Sequence, residues 1–294
     1  MLARNVTTLI KDLNPRVENY LRKLIENNPM QIKQVHESSA YEPLVHQMKA
    51  WACMGVFYDY LIRKEIYNLL EKEAIDHRAS TFEEQLADYN EILNVIKSSR
   101  VSADAGEPEI DDEGKELADS IFPIDVEKLR KPLASYQKYK DPKNATLDII
   151  EDIFNTSMLH RLFFGDSMLA FDPKLLNMDN LKTVLKHVET FNRNNISLNP
   201  VVGCEYFRGD ADLILDDVLL DIKLSMYALK LTQVQSRRQL YQLIFYALGV
   251  FVNEGKEIRK FKIYNPLLGI EYFLEIPELN FPEFLKLVEE VKPL

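Results

Sequence analysis

Cysteine is almost absent: Cys53 and Cys204 are the only two among 294 residues, and they form no C-x-x-C pair. That excludes a disulfide framework and a cysteine zinc site, which both need several cysteines at short spacing. No apolar run approaches the roughly 18 residues that span a bilayer. The opening MLARNVTTLIKDLNPR carries neither the apolar stretch nor the small-residue cleavage site of a secretory signal, so the expected address is cytoplasmic. A Walker loop, G-x-G-x-x-G and G-x-S-x-G are all missing, which removes ATPase, dinucleotide-enzyme and α/β-hydrolase readings. Positive charge is in deficit, with 36 Lys and Arg against 46 Asp and Glu and a net charge of −10. A domain whose whole surface grips nucleic acid is usually basic.

What is present is an ordinary globular composition, 46% hydrophobic and 28% charged, able to bury a core. The length corresponds to about two domains. The charge is unevenly spread. Between Ser102 and Glu127 ten acidic residues face Lys115 alone, a local net of −9, whereas between Lys223 and Lys262 eight basic residues face two acids, a net of +6. The second segment is the one expected to meet phosphates.

Residues 1 to about 100 carry apolar positions at spacings of three and four, as in Leu61, Ile62, Ile66, Leu69 and Leu70, and predict three or four helices. SSRVSADAGEPEIDDEGKE reads as a solvated acidic linker over 100–120. Helical patterning resumes over 124–194. After Pro200 the pattern changes to alternating, β-branched segments, VVGCEYFRGDADLILDDVLLDIKLS, which predict strands. A helix from about Thr232 to Asn253 stops at Gly255, two strands follow in KFKIYNPLLGIEYFLEI, and FPEFLKLVEEV closes with a short helix begun near Pro282. The expected fold is α/β (α+β): a mainly helical region over 1–195 and a small mixed sheet flanked by helices over 196–294.

If Asp216-Asp217 is a two-residue turn, cross-strand partners have numbers summing to 433, and Asp212 falls opposite Asp221 while Asp210 falls opposite Lys223. Asp210, Asp212, Asp221 and Lys223 then share one face; Leu213, Leu215, Val218, Leu220 and Ile222 share the other. Facing carboxylates repel unless a cation or proton lies between them. Mg²⁺ or Mn²⁺ suits such oxygen ligands, and Lys223 would stand beside a metal-bound water and an attacked phosphate. A solvent-facing hairpin whose lysine pairs with Asp210 accounts for the same residues, and spacing alone leaves both readings open.

GDADLILDDVLLDIK resembles motifs II and III of the PD-(D/E)XK nuclease superfamily, an aspartate on one strand and (D/E)-x-K on the next: here Asp212, then Asp221-Ile222-Lys223. QLIFYA, beginning 19 residues after Lys223, resembles the Q-L-x-x-Y-A motif of the RecB-type branch, which includes the AddB and CRISPR-associated exonuclease cores. The G-x-x-D of that branch matches Gly209 to Asp212. The resemblance covers about 200–275, roughly a third of the chain, and the helix around Asp59. It implies Asp212, Asp221 and the main-chain carbonyl of Ile222 as ligands of Mg²⁺ or Mn²⁺, Lys223 as the residue that positions or deprotonates the attacking water, and Gln242 and Tyr246 as residues flanking the centre. The branch's upstream G-x-x-x-H appears as Gly55 to Asp59, with Asp59 where the histidine ligand stands. Asp59 is therefore a fourth candidate ligand, and helix 50–73 is expected to complete the core; the alternative for Asp59 is an ordinary solvated helix face.

Lys230, Arg237 and Arg238 are candidate phosphate contacts just before Gln242. His46 is the other upstream candidate for the histidine, although a lone histidine beside Val45 and Met48 is more often structural; His160 and His187 lack partners at metal-ligand spacing, and Tyr241, Phe245 and Phe251 read as core. The implied activity is metal-dependent hydrolysis of nucleic acid, DNA favoured over RNA, in defence or in recombination and repair. A partner protein or a further copy is expected to dock on the helical region, and no membrane is involved. The competing expectation is a non-catalytic nuclease-like scaffold that binds another protein.

Overall fold

The computed structural model describes residues 4–37, 48–99, 126–163, 170–224 and 229–291. In chain order the elements are β1 (Arg4–Asn5), α1 (Val6–Lys11), α2 (Pro15–Asn27), β2 (Gln31–Gln34), α3 (Met48–Leu69), α4 (His77–Ser99), α5 (Val126–Lys140), α6 (Ile150–Phe163), α7 (Met178–Val188), β3 (Ile196–Leu198), β4 (Val201–Gly203), β5 (Phe207–Asp210), β6 (Leu213–Leu215), β7 (Val218–Ile222), α8 (Val234–Glu254), β8 (Lys260–Asn265), β9 (Ile270–Glu275) and α9 (Phe281–Glu290). The fold is mixed α/β. The acidic stretch 100–120 and His46 lie outside the described residues.

The chain divides into two compact units, Met1–His46 with Pro173–Leu294, and Gln47–Asp172. The boundary expected near residue 195 therefore falls elsewhere. Residues 4–37 belong with the sheet because β1 pairs with β5 and β2 pairs with β9, and short strands of unexceptional sequence such as QIKQ carry no local signal for a distant partner. Helix α3, which holds Asp59, belongs to the helical unit.

The sheet unit holds a six-stranded sheet in the order β2-β9-β8-β7-β6-β3 and a three-stranded one in the order β1-β5-β4. Parallel strands β7 and β8 are joined through α8, as parallel pairing requires a crossover. Between Leu240 and Val250, α8 is apolar and buried on nearly every side except at Gln242, the pattern of a core helix. It ends where Gly255 takes φ 66° and returns its N–H to the Phe251 carbonyl at 2.8 Å. Asn280 caps α9 by accepting from the Glu283 N–H at 3.2 Å, with Pro282 in the first turn.

The β6–β7 hairpin has the predicted register, with Leu213 opposite Leu220, Ile214 opposite Leu219 and Leu215 opposite Val218. Asp216 takes φ 54°, a conformation aspartate tolerates in such turns. Its side chain accepts from the Asn195 amide at 3.1 Å, and Lys260 pairs with Asp217 at 2.6 Å. Two expectations fail. Asp210 does not face Lys223: the strand switches sheets at Ala211, and Asp210 pairs with Val201 in β4. The switch is fixed by the Ala211 N–H bonding the Pro200 carbonyl at 3.1 Å and the Asn199 N–H bonding the Asp212 carbonyl at 2.9 Å. Nor is the acids' face a solvent face, since Ile214 and Leu219 lie in the core beside α8.

The helical unit is organised around charge as well as apolar packing. Arg63, Lys64, Asp76 and Arg78 are all buried. Arg63 on α3 lies 2.6 Å from Asp59 and 3.4 Å from Asp76, and the Tyr60 hydroxyl donates to Asp76 at 2.8 Å. On α6, burial together with the Arg78 and Arg63 guanidiniums pushes the His160 imidazole down to about 3. An unfolded histidine takes up its proton near pH 6.5. Between that value and about 3 the unfolded chain binds the extra proton, so stability falls as pH is lowered through this window. Thermal melts from pH 7 to 4 should show a declining Tm, with a shallower decline in His160→Gln; equal slopes would remove His160 as the cause.

Candidate active site

Asp212 sits where the chain passes from β5 to β6, Asp221 is the fourth residue of β7, and Lys223 follows the strand's end. The Asp212 carboxylate accepts from the Ile222 N–H at 2.7 Å, which ties the two acidic segments together. Lys223 Nζ donates to Asp221 Oδ1 at 2.8 Å. Its main-chain N–H continues the ladder to the Tyr264 carbonyl at 3.0 Å, so the side chain projects from anchored backbone. Asp221 is 1% exposed, and the Lys223 side chain keeps 30% exposure. Burial works against the Lys223 charge, but Asp221 and then Asp212 outweigh it and hold the ammonium above the ordinary lysine range.

Gln242 and Tyr246 stand one turn apart on α8, as their spacing requires. The Gln242 amide donates to the Tyr246 hydroxyl at 2.5 Å, leaving the phenolic proton to be donated elsewhere. Burial raises the Tyr246 pKa and Lys223 opposes this, leaving it above the ordinary tyrosine range. The ring lies over Gly209: a Cβ there would be 2.6 Å from Tyr246 Cε1. This explains the glycine physically. Gly209→Ala should push the buried ring and cost about 1–3 kcal/mol in denaturant unfolding, the usual penalty of overpacking. A cost below a few tenths would show that the ring is not held there.

Lys223 and Gln242 open on a cleft of about 290 Å³ whose lining also includes Thr7, Lys11, Gln235 and Arg238. Arg238 donates to the Lys11 carbonyl at 3.1 Å, and Gln242 reaches Thr7 Oγ1 at 3.4 Å, so α1 is fastened to α8 along the cleft. Neither Thr7 nor Lys11 belongs to any motif, and no sequence signal marks them. Arg237, in contrast, spends its guanidinium on the Leu231 and Thr232 carbonyls at 3.0 and 3.1 Å. Lys230 is exposed, with its N–H on Ser236 Oγ at 3.2 Å. The rest of the basic segment is distributed: Lys256 donates to the Asp216 main-chain carbonyl, Lys260 pairs with Asp217, Arg259 pairs with Glu257, and Lys262 pairs with Glu271. His187 bonds Glu271 at 3.0 Å.

Asp59 is held in the helical unit by Arg63 at 2.6 Å. Among the described residues, no group of three or more His, Cys, Asp and Glu is placed to hold a metal ion. Asp212, Asp221 and the Ile222 carbonyl offer two carboxylates and a neutral oxygen. This donor chemistry fits Mg²⁺ or Mn²⁺, which take one or two carboxylates and complete their shell with water and phosphate. No helix among the described residues is long and apolar enough to cross a membrane. Scans of the chain against protein-family models, curated proteins and solved structures find no match.

Proposed function

We propose that this chain is a metal-dependent nuclease of the PD-(D/E)XK type, with DNA favoured over RNA. The observation that carries the reading is the pairing of Lys223 with the buried Asp221 at 2.8 Å, close to an Asp212 carboxylate tied to Ile222, with Lys223 itself on the wall of a cleft also lined by the cations Lys11 and Arg238. Asp212, Asp221 and the Ile222 carbonyl would hold Mg²⁺ or Mn²⁺, which supplies a Lewis acid and a more acidic bound water. Lys223 orients the attacking water and sets a fixed positive charge where charge develops on the phosphoryl oxygens. Water adds to phosphorus, the bond from phosphorus to the 3′ oxygen breaks, and the products carry a 5′-phosphate and a 3′-hydroxyl. Gln242 holds the Tyr246 hydroxyl in one orientation beside the site.

The test is cleavage of labelled single-stranded DNA, duplex DNA and RNA with Mg²⁺, Mn²⁺ or EDTA. Metal-dependent cutting supports the reading; no cutting of any substrate, with no metal-induced rise in Tm, overturns it. A scaffold is favoured by one feature: one oxygen of each acid already has a partner inside the protein, Lys223 on Asp221 Oδ1 and the Ile222 N–H on Asp212 Oδ2. That reading expects no metal-induced rise in Tm.

A further inference from the structure

A second cluster of ionisable groups gathers at the β2 edge of the six-stranded sheet. Tyr264 and Lys262 alternate along β8 with Ile263, the neighbour of Asp221, so they project from the opposite face of the sheet. His36 joins them from the end of β2, His187 from the last turn of α7 and Glu271 from β9. The His36 and His187 ring centroids are 6.1 Å apart, and they lie 6.0 and 5.0 Å from the ring of the fully buried Tyr264. The backbone seats His36 closely. The Val35 N–H donates to the Gly269 carbonyl at 2.8 Å and the Gln34 amide to the Leu268 carbonyl at 2.7 Å. Gly269 takes φ 64°, and a Cβ there would lie 2.6 Å from His36 Nδ1.

Hydrogen-bond chemistry fixes the state of this ring. A carbonyl only accepts, so His36 Nδ1, 2.9 Å from the Glu37 carbonyl, carries the proton. In the neutral ring Nε2 is then the acceptor, and it takes the Tyr264 hydroxyl proton at 2.7 Å. His187 Nε2 bonds one oxygen of Glu271 at 3.0 Å and Lys262 takes the other at 3.0 Å, so the cluster's carboxylate is already shared. The remaining charged groups around His36 among the described residues are Lys33, opposite Glu271 in the ladder, and the exposed Glu37.

We infer that His36 is a latch released by acid: neutral, it accepts the Tyr264 proton and pins the end of β2 to the sheet; protonated at Nε2, it faces a donor with a donor, and β2 lets go. Keeping the contact would require the Tyr264 hydroxyl to turn its proton away and a half-buried site to hold a new cation beside Lys262. Burial disfavours the imidazolium and outweighs the Glu37 carbonyl, and His187 adds to it, so His36 titrates below the ordinary histidine range. The released segment binds the proton more readily, so the latch is fully engaged above about pH 6.5 and weakens as pH falls below that value. Release uncovers the edge of β9 that Lys33 and Gln34 occupy, and frees one end of the segment that carries Thr7 and Lys11 to the cleft. The latch is independent of the nuclease reading, since none of its side chains belongs to that site.

The experiment is amide hydrogen exchange over residues 30–37 from pH 7 to 5, corrected for the intrinsic pH dependence of exchange, in wild type, His36→Gln and Tyr264→Phe. Imidazole ¹⁵N shifts of the wild type report the His36 tautomer. Glutamine keeps a neutral donor and acceptor and takes up no proton, and His160 is present in every protein, so their difference isolates His36. Wild-type protection of β2 should fall roughly three- to tenfold over this range, since one proton taken up on opening allows at most about tenfold per pH unit. His36→Gln should lose that dependence, Tyr264→Phe should be less protected already at pH 7, and β3 at the other edge of the sheet should respond alike in all three. An Nε2–H tautomer at pH 7, unchanged β2 protection between pH 7 and 5, or equal pH slopes in wild type and His36→Gln would each overturn the latch. The tautomer and the pH slope are read on the wild type, so a variant that fails to fold leaves the test intact.

Discussion

Lys223→Ala is expected to lower kcat for nucleic-acid cleavage by at least about 10²–10³-fold, the usual loss when one preorganised charge is removed from a developing anion. The substitution removes the ammonium that lies 2.8 Å from Asp221 while the hairpin keeps its register, because Leu213, Leu219 and Leu220 remain buried. Two carboxylates are then left without their internal cation. Stability of the metal-free variant should drop, by less than the full penalty of a buried unpaired charge because the Lys223 side chain is 30% exposed. Added Mg²⁺ or Mn²⁺ should in turn raise the variant's Tm more than that of wild type, since the metal replaces the missing charge. Three measurements decide this: cleavage rate, Tm in EDTA, and Tm in metal. Retained cleavage in the variant would end the catalytic assignment, and an identical metal response in both proteins would show that Asp212 and Asp221 do not share a cation site.

The second large effect is structural. Asp76 is 1% exposed and receives the Tyr60 hydroxyl, the Arg63 guanidinium, and the main-chain N–H groups of Arg78 and Ala79 at 3.1 and 3.0 Å. It is thus both the counter-ion of a buried arginine and the N-cap of α4. Burial works against its charge, but Arg63, Arg78 and the Ala79 N–H outweigh burial and hold the carboxyl below its ordinary range. Asp76→Ala leaves Arg63 buried with one partner fewer and α4 uncapped, and should cost about 3–5 kcal/mol for the pair alone. The double variant Arg63→Met with Asp76→Leu should recover much of that loss, since well-packed apolar replacement of a buried pair is often neutral. Asp76→Asn should also flatten the acid limb of the stability profile. A lowered carboxyl pKa gives stability that is present above the unfolded value and lost as pH falls through the folded one. Chemical denaturation of the three variants at neutral pH and again near pH 4 tests both statements. A loss below about 1 kcal/mol in Asp76→Ala would show that the network is not what holds the helical unit.

The sequence by itself determined the β6–β7 hairpin, the helix after it and its glycine stop. All three are local: alternation sets a period of two, an aspartate can take φ 54° in the turn, and Gly255 can take φ 66°. Alternation across the tight turn put Asp212, Asp221 and Lys223 on one hairpin, whereas only the family resemblance, and no spacing, joined Gln242 and Tyr246 to them. Tertiary structure alone decided the rest. Asp210 leaves the hairpin because its strand pairs better with β4, a partner no spacing encodes. Residues 4–37 join the sheet unit through strands of two and four residues, too short for periodicity to register, and with them come Thr7 and Lys11 on the cleft. The basic segment looked like one phosphate-binding surface, yet three of its eight cations are paired with Asp217, Glu257 and Glu271 and a fourth, Lys256, with the Asp216 main-chain carbonyl, because charge counted along a chain does not say which way each side chain points once strands pair. The resemblance offered Asp59 as a fourth metal ligand beside the alternative of an ordinary helix face, and the fold pairs it with Arg63 one helical turn away.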